Sequence, residues 1–239
     1  MQSRVPQSCL LCGTGVRGAL LCAGCAGDLP QLPEMRCPQC ALPTPDGGLC
    51  GNCLKRPPHF DRTRAAFRYG FPLDALVQAY KYRHRLELAD LFAHALAGEL
   101  VGKVLPVNAF AGPPLKRVGP NGGAVDLILC MPLHPDRLAE RGYNQATEIA
   151  RRLARHLQQP WAAEACRRIR ATPPQAGLGL KARRSNLRGA FVCDADLSGM
   201  RVALVDDVMT SGSSLNELAR VVKKAGAVEV EAWVVARTL

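Results

Sequence analysis

The sequence predicts an α/β protein in which a parallel sheet, flanked by helices, follows a small double zinc-ribbon module. Eight of the 11 cysteines lie before residue 54, in four Cys-x-x-Cys pairs. After residue 59, short apolar runs alternate with helical patterns, which is typical of a parallel sheet covered on both faces. One apolar run ends in Asp206 and Asp207 and continues into a small hydroxyl-rich segment. Ligands bind at such carboxyl ends of parallel strands.

The cysteine pairs predict two zinc sites. Two pairs separated by nine residues recur 28 positions later, cysteine for cysteine. Each Cys-x-x-Cys turn places two thiolates on one side of an ion, and two turns complete a tetrahedral zinc shell. Because four thiolates leave no position for water, the zinc is expected to be structural. Sequential pairing gives the sets Cys9, Cys12, Cys22, Cys25 and Cys37, Cys40, Cys50, Cys53.

Two alternatives to these zinc sites stay open at the level of the sequence. A cross-braced pairing would mix the two sets. A thioredoxin-like redox pair or an iron–sulfur cluster would also use such turns, although a redox pair is normally flanked by a strand and a helix. These turns lie among Gly and Pro instead. The module has few large apolar residues, so metal binding, worth roughly 10 to 16 kcal/mol per structural site, would replace the missing core.

The order of elements follows from periodicity and from turn residues. Pro57 and Pro58 predict a boundary between the zinc module, residues 1–58, and the larger domain, residues 59–239. Pro72 fits the first turn of a helix with the apolar face Leu73, Leu76, Val77 and Tyr80. Further helices are predicted at 86–101, 144–157 and 213–225, strands at 67–70, 125–130, 161–169, 202–205 and 228–236, and loops at 105–123 and 171–179.

Composition and charge limit the classes of function. No apolar run approaches the roughly 18 residues of a membrane-spanning helix, and residues 1–8 lack a signal-peptide core, so the cytoplasm is the expected location. The net charge is +11, and residues 151–188 hold ten Lys or Arg against one acid, Glu164, which is 10 − 1 = +9. This basic stretch indicates a polyanionic partner, unless it is only a soluble basic surface.

The segment from Val202 to Ser214 has the sharpest chemical pattern. Its loop, Thr210, Ser211, Gly212, Ser213 and Ser214, is expected to place N–H and hydroxyl groups around one phosphate at a helix N-terminus. Asp206 and Asp207 are expected to accept hydrogen bonds from ribose hydroxyls and to help hold a hydrated Mg²⁺. The loop lacks the Gly-Lys-Ser/Thr ending of a Walker A motif. A helix capped by Ser or Thr beside a solvated turn is the alternative.

Four stretches together resemble the ComF family, which has a type I phosphoribosyltransferase domain. They are the cysteine turns, residues 133–145 (LHPDRLAERGYNQ), residues 175–191 and the Asp-Asp loop. The resemblance implies a type I phosphoribosyltransferase-like sheet that binds phosphoribosyl pyrophosphate together with Mg²⁺. One departure is Cys130-Met131-Pro132, where relatives usually have Pro-Val-Pro, in the loop that contacts pyrophosphate in type I enzymes.

The resemblance also implies that Arg141, Asn144 and Gln145 lie on the diphosphate side of the pocket. Arg137 and Arg141 suit this role chemically, because a guanidinium group pairs well with phosphate oxygens. An ordinary helix-start surface is the alternative. Lys81 and Arg83, at the end of a predicted helix, and His134, as an acid or base, are secondary candidates, and each also has a purely structural explanation.

Two functions of different classes are compatible with these patterns. The resemblance implies a part in taking up or processing single-stranded DNA in natural transformation, with DNA-uptake proteins as candidate partners. The candidate DNA contacts are Arg183, Arg184 and Arg188. The second function is phosphoribosyl transfer to a small acceptor, with Asp206 and Asp207 as the catalytic candidates for displacement at ribose C1. No residue of the sequence identifies the acceptor.

Overall fold

The structure is a computed structural model that describes residues 7–102, 125–170 and 187–239. In chain order its strands are β1 (Gln7–Ser8), β2 (Gly15–Val16), β3 (Arg62–Arg68), β4 (Leu127–Cys130), β5 (Trp161–Ala162), β6 (Cys166–Arg168), β7 (Phe191–Cys193), β8 (Arg201–Met209) and β9 (Glu229–Arg237). Its helices are α1 (Ala23–Gly27), α2 (Gly51–Lys55), α3 (Leu73–Tyr82), α4 (Leu88–Val101), α5 (Pro135–Arg141), α6 (Gln145–Leu157) and α7 (Ser213–Lys224).

Five strands form the predicted parallel sheet, and their order is β3-β9-β8-β4-β5. The strand that carries the two aspartates, β8, therefore lies in the middle. Every residue of β9 after Glu229 is buried, which means that both faces of the sheet are covered. Helices α4 and α6 pack against strands β3, β9, β8 and β4, and α7 packs against β8 and β9.

The helices match their predicted apolar faces. The buried residues of α3 are Leu73, Leu76, Val77 and Tyr80. Tyr80 packs edge-on against Phe92 of α4, with 5.4 Å between ring centroids. Helices α4, α6 and α7 begin and end within two residues of their predicted bounds.

The prediction of a single strand over residues 161–169 is wrong. Strand β5 ends at Ala162 and joins the central sheet, whereas β6 begins at Cys166 and pairs antiparallel with β7. The apolar residues of this run are compatible with one long strand or with two short ones. Only the pairing partners show that β5 and β6 are separate strands. Helix α5 was not predicted, and β3 and β8 are longer than predicted. The loops predicted at 105–123 and 171–179 lie outside the described residues.

The cysteine-rich module covers the open edge of the sheet. Edge strand β3 donates from Thr63 N to Pro38 O at 3.1 Å and from Arg68 N to Pro30 O at 2.9 Å. An ion pair of 2.6 Å between Arg36 and Glu99 joins the module to α4. A covered edge cannot pair with another chain. Among the described residues, no helix is both long and apolar enough to cross a membrane.

Candidate functional site

The loop after β8 forms a small cavity at the carboxyl edge of the sheet. The cavity has a volume of about 30 Å³, and its lining includes Asp206 and residues 208–215. Gly212 is the N-cap of α7 and has a φ of 73°. A Cβ atom at this position would lie 2.6 Å from Met209 Cε. Glycine is therefore needed both for the left-handed bend and for the close approach.

The structure brings together all five residues of the predicted phosphate loop. Ser211 Oγ and Ser213 Oγ share a hydrogen bond of 2.9 Å, and Ser213 N donates to Ser211 Oγ at 3.4 Å. Thr210 is exposed beside them. Helix α7 adds the positive end of its dipole and the N–H groups of its first turn. Such an arrangement suits a phosphate group.

The two adjacent aspartates occupy different surroundings. Successive side chains of a strand point to opposite faces, and Asp206 lines the loop cavity whereas Asp207 does not. Burial, followed by the charge of Asp207, raises the pKa of Asp206 to about 7. The carboxyl group in the cavity therefore changes its charge near neutral pH.

Asp207 is buried and forms an ion pair with Lys81 at the end of α3. Its Oδ2 atom lies 2.9 Å from Lys81 Nζ. Burial acts to lower the pKa of Lys81, but the Asp207 carboxylate outweighs it, so the pKa is raised. Lys81 thus belongs to the site, as its position in the sequence suggested. Arg83 is the C-cap of α3 and lines neither cavity of the site.

A second cavity includes Lys81 in its lining. It has a volume of about 330 Å³ and is lined by Lys81, Tyr82, His84, Arg137, Glu140 and Arg141. It contains both arginines that were predicted to bind substrate. The Arg141 guanidinium lies 5.5 Å from the centroid of the Tyr82 ring and donates to Gln145 Oε1 at 3.2 Å. Arg137 and Arg141, together with Lys81, which is paired with Asp207, outnumber the one acid of the lining, Glu140, and make this cavity attractive to anions.

Two further candidates act as helix caps. Asn144 Oδ1 accepts from Ala146 N at 3.0 Å at the start of α6, and its Nδ2 donates to Met131 O at 3.0 Å. Asn144 therefore fixes the segment that follows β4. His134 Nδ1 accepts from Asp136 N at 3.4 Å at the start of α5. Both side chains have a structural role in this arrangement.

Arg168 is a candidate site residue that the sequence patterns did not single out. Its guanidinium lies 5.6 Å from the centroid of the Phe191 ring, across the β6–β7 ribbon. Burial lowers its pKa, the charge of Arg137 lowers it further, and Asp206 acts in the opposite direction. Arg168 thus lies within electrostatic reach of Asp206 and Arg137. The proximity of Arg168 to Asp206 and Arg137 depends on where the β6–β7 ribbon lies in the fold. No local sequence signal could therefore have revealed it.

Part of the basic stretch is already neutralised by ion pairs. Arg151 and Arg152 both contact Glu148, and Arg152 also lies 3.0 Å from Asp90. Arg167 lies 2.7 Å from Asp194. Arg188 is exposed, as expected for a DNA contact, and its carbonyl oxygen accepts from Arg170 at 3.2 Å. The other two candidate DNA contacts, Arg183 and Arg184, lie outside the described residues.

The eight N-terminal cysteines form two separate clusters, and these are the sequential sets rather than cross-braced ones. Within each cluster the four Sγ atoms lie within 4.8 Å of one another. Sulfur atoms lie 3.7 Å apart in Cys12 and Cys22, and 3.6 Å apart in Cys40 and Cys50. Zinc–sulfur bonds of about 2.3 Å in a tetrahedron place sulfurs about 3.8 Å apart. The donor sets therefore fit zinc in composition and in spacing.

Backbone N–H groups in the cysteine turns favour thiolates. Although burial opposes the change, hydrogen bonds from the turns lower the pKa of Cys9 to about 6 and that of Cys37 to about 7. Burial raises the pKa of Cys40 to about 11. A metal ion would have to displace the proton of such a thiol. Each cluster thus combines a thiol that ionises readily with others that ionise on metal binding.

Comparison with known proteins finds a matching domain family for each of the two parts of the chain. A double zinc ribbon domain matches residues 3–54, and a phosphoribosyl transferase domain matches residues 139–238. The chain is 34% identical over 238 residues to DNA utilization protein YhgH of Salmonella typhi, covering 98% of this chain and 99% of that protein. It is 34% identical to competence protein F of Haemophilus influenzae, with coverage of 91% and 90%. It is 23% identical to competence protein ComFC of Bacillus subtilis, with coverage of 91% and 84%.

Proposed function

Because this chain belongs to the ComF family, in which a double zinc ribbon is joined to a phosphoribosyltransferase domain, we propose that its loop cavity binds phosphoribosyl pyrophosphate with Mg²⁺. The observation that carries the proposal is the position of Asp206 in the same cavity as the phosphate loop. A carboxylate beside a phosphate loop suits a ligand in which a phosphate group and hydroxyl groups are attached to the same small sugar ring.

The 5′-phosphate would occupy the loop between Thr210 and Ser214. The hydroxyl groups of Ser211 and Ser213, 2.9 Å apart, face the same small volume as the start of α7. The positive helix end and its N–H groups stabilise a dianion. Gly212 allows the ligand to approach the backbone closely, because no side chain projects from it.

Asp206 would accept hydrogen bonds from the ribose hydroxyls in its ionised form. Asp207 faces Lys81, so we assign it a positioning role, in which it holds the ammonium group at the wall of the second cavity. Mg²⁺, when bound, would neutralise diphosphate oxygens and make the diphosphate a better leaving group. The oxygen ligands that Mg²⁺ prefers are available at Asp206.

The diphosphate would lie toward the second cavity, against Lys81, Arg137 and Arg141. Guanidinium groups offer paired N–H donors that match phosphate oxygens. Arg141 is held by Tyr82 and Gln145 in a fixed orientation, which reduces the entropy lost on binding. Arg168, close to Asp206 and Arg137, adds positive charge from the other side.

We further propose that the protein handles single-stranded DNA in the cytoplasm, in concert with DNA-uptake proteins. The names of its relatives, competence protein F and DNA utilization protein, support this part of the proposal. Arg183, Arg184 and Arg188 would neutralise DNA phosphates at the basic stretch. Aromatic residues are only 5% of the chain, which argues for backbone contacts over base stacking.

A second candidate function is phosphoribosyl transfer to a small acceptor. The second cavity, at about 330 Å³, has room for a small molecule, and Tyr82 offers an aromatic side chain in its lining. The protein would then act by orienting the reactants and stabilising the charge that develops at C1. Pyrophosphate release, measured with a panel of bases with and without single-stranded DNA, separates turnover from binding alone.

Calorimetric titration tests the binding proposal directly. Phosphoribosyl pyrophosphate should bind with one site per chain, and Mg²⁺ should strengthen the binding. Ribose 5-phosphate should bind more weakly, because it lacks the diphosphate that contacts Lys81, Arg137 and Arg141. Inorganic pyrophosphate alone should compete. Absence of heat for phosphoribosyl pyrophosphate under all conditions would reject the proposal.

A further inference from the structure

We propose that Arg237 joins the second cysteine cluster to the phosphate loop, so that metal binding and ligand binding stabilise each other. The ligand half of this inference rests on the proposed function, whereas the metal half does not. Arg237 is the last residue of β9, the strand beside β8. It is 3% exposed, which is rare for an arginine.

The Arg237 guanidinium bridges two segments that are far apart in the sequence. Its Nε atom donates to Cys40 O at 2.8 Å, within the second cysteine cluster. Its Nη1 atom donates to Met209 O at 3.1 Å and also to Thr210 O, at the start of the phosphate loop. One planar group with fixed donor directions therefore sets the distance between the Cys40 turn and the loop.

Other contacts fasten the same two segments together. Thr63 Oγ1 donates to Gln39 O at 2.6 Å and lies 4.0 Å from Met209 Sδ. Gln39 Nε2 donates to Phe60 O at 3.1 Å. The Phe60 ring lies 3.7 Å from the point where a Cβ atom of Gly212 would stand. The turn between Cys37 and Cys40 is thus linked to the phosphate loop through Thr63 and Phe60.

Charge gives a second reason for coupling. Among the described residues, the partners of the Arg237 guanidinium are carbonyl oxygens, and no carboxylate pairs with it. A buried cation needs a compensating anion. Four thiolates around one Zn²⁺ carry a net charge of about −2, and the charges of Cys40, Cys50 and Cys53 act on this guanidinium. The metal-loaded cluster therefore supplies the missing negative charge.

The coupling must act in both directions. If the loaded second cluster favours the loop geometry that binds the ligand, then the ligand must favour the loaded cluster by the same factor. The first cluster, Cys9, Cys12, Cys22 and Cys25, has no such bridge to the loop among the described contacts. The ligand should therefore not change the rate at which the first cluster releases its zinc. This cluster provides an internal control.

The first experiment uses the wild-type chain, which should contain two zinc ions by elemental analysis. Zinc release to a chromophoric chelator is followed with and without saturating phosphoribosyl pyrophosphate. We expect two phases, and the ligand should slow only one of them, by roughly tenfold. Equal slowing of both phases, or of neither while calorimetry shows the ligand bound, would overturn the coupling.

The second experiment uses Arg237→Met and Arg237→Lys, with Arg68→Met as a matched control. Arg68 is the register partner of Arg237 on β3, but its side chain is exposed. Without ligand, Arg237→Met should release one zinc roughly tenfold faster, and Arg237→Lys should lie between it and wild type. The control should release both ions at the wild-type rate. Wild-type release from Arg237→Met would refute the metal half.

The same variants separate this inference from the proposed function. If wild type fails to bind phosphoribosyl pyrophosphate, the proposed function is wrong, but the Arg237 dependence of zinc release can still be measured. Arg237→Lys keeps the positive charge but loses the planar set of N–H donors. If wild type binds the ligand, this variant should bind it roughly tenfold more weakly. Unchanged affinity, with both zinc ions retained, would refute the ligand half.

Discussion

Lys81 Nζ lies 2.9 Å from Asp207 Oδ2, and Lys81 also lines the second cavity together with Arg137 and Arg141. The Lys81 side chain is 22% exposed and that of Asp207 is 10% exposed. The pair is therefore shielded from water more than a surface ion pair. It fixes one cation at the wall of the cavity that would take the diphosphate of the proposed ligand.

Replacing Lys81 should leave Asp207 as a buried carboxylate without its partner. We expect Lys81→Met to lower the free energy of unfolding by about 3 kcal/mol, measured by urea denaturation. Phosphoribosyl pyrophosphate should bind at least tenfold more weakly, because the cation at the wall of the second cavity is lost. The control Lys224→Met, at an exposed position on α7, should change neither quantity.

The double variant Lys81→Met plus Asp207→Asn is the sharper test of the pair. Removal of both charges should restore part of the lost stability, because no unpaired carboxylate stays buried. If the double variant is as unstable as the sum of its two single variants, the two side chains are not coupled as the distance implies.

The raised pKa of Asp206 predicts how stability depends on pH. The folded protein holds the Asp206 proton up to about pH 7, whereas an unfolded aspartate loses it near pH 3.9. The stabilisation from this group is therefore complete below about pH 4 and is lost as the pH rises toward 7. Asp206→Asn, which stays neutral, should remove this loss.

The free energy of unfolding of wild type and Asp206→Asn should be compared at pH 5 and pH 8. We expect the variant to gain on the order of 1 to 3 kcal/mol relative to wild type between these two values. It should at the same time lose affinity for phosphoribosyl pyrophosphate. A variant that gains nothing at pH 8 would show that the carboxyl group is not held in a desolvated site.

Gly212 should be intolerant of a side chain for two separable reasons. Gly212→Ala should lower stability by about 1 to 2 kcal/mol, because of the positive φ and because the Met209 methyl group would have to move. It should weaken ligand binding, because the added methyl group would limit approach to the backbone. Gly199→Ala is the matched control. Its φ of 75° is similar, but nothing lies within 4 Å of its added Cβ. The control should lose only the stability that a side chain at a positive φ costs, and its affinity for the ligand should be unchanged.

Binding of single-stranded DNA should depend on the candidate contacts Arg183 and Arg184 in the basic stretch. Arg183→Ala plus Arg184→Ala should weaken DNA binding and reduce its salt dependence by about two phosphate contacts. Arg151→Ala plus Arg167→Ala removes the same charge from residues that already pair with Glu148 and Asp194. This control should have a smaller effect in an electrophoretic mobility shift assay. Equal effects would mean that only net charge matters.

The parts of the fold that depend on local patterns were predictable from the sequence. The apolar face of α3 and the parallel sheet follow from periodicity, and the 28-residue repeat favoured the sequential cysteine sets over a cross-braced pairing. The split between β5 and β6 was not predictable, because it depends on which distant strand each segment pairs with. Asp206 and Asp207 stay site candidates, and their opposite orientations follow from the extension of β8 through both residues.

The roles of Arg168 and Arg237 were also beyond local patterns. Arg237 ends the apolar run that follows Glu231 in β9, which marks it as unusual. Its partners Cys40 and Met209 are 197 and 28 residues away in the chain. Only the packing of the zinc module against the sheet brings the three together. Charge counts alone cannot separate such a buried, bridging arginine from a solvated one.

The most direct test of the account is calorimetric titration of phosphoribosyl pyrophosphate with Mg²⁺ into wild type and into Asp206→Asn plus Asp207→Asn. Wild type should bind one ligand per chain, and the double variant, still folded and with two zinc ions, should show no binding. Equal affinity of the two proteins would contradict a ribose site at the end of β8.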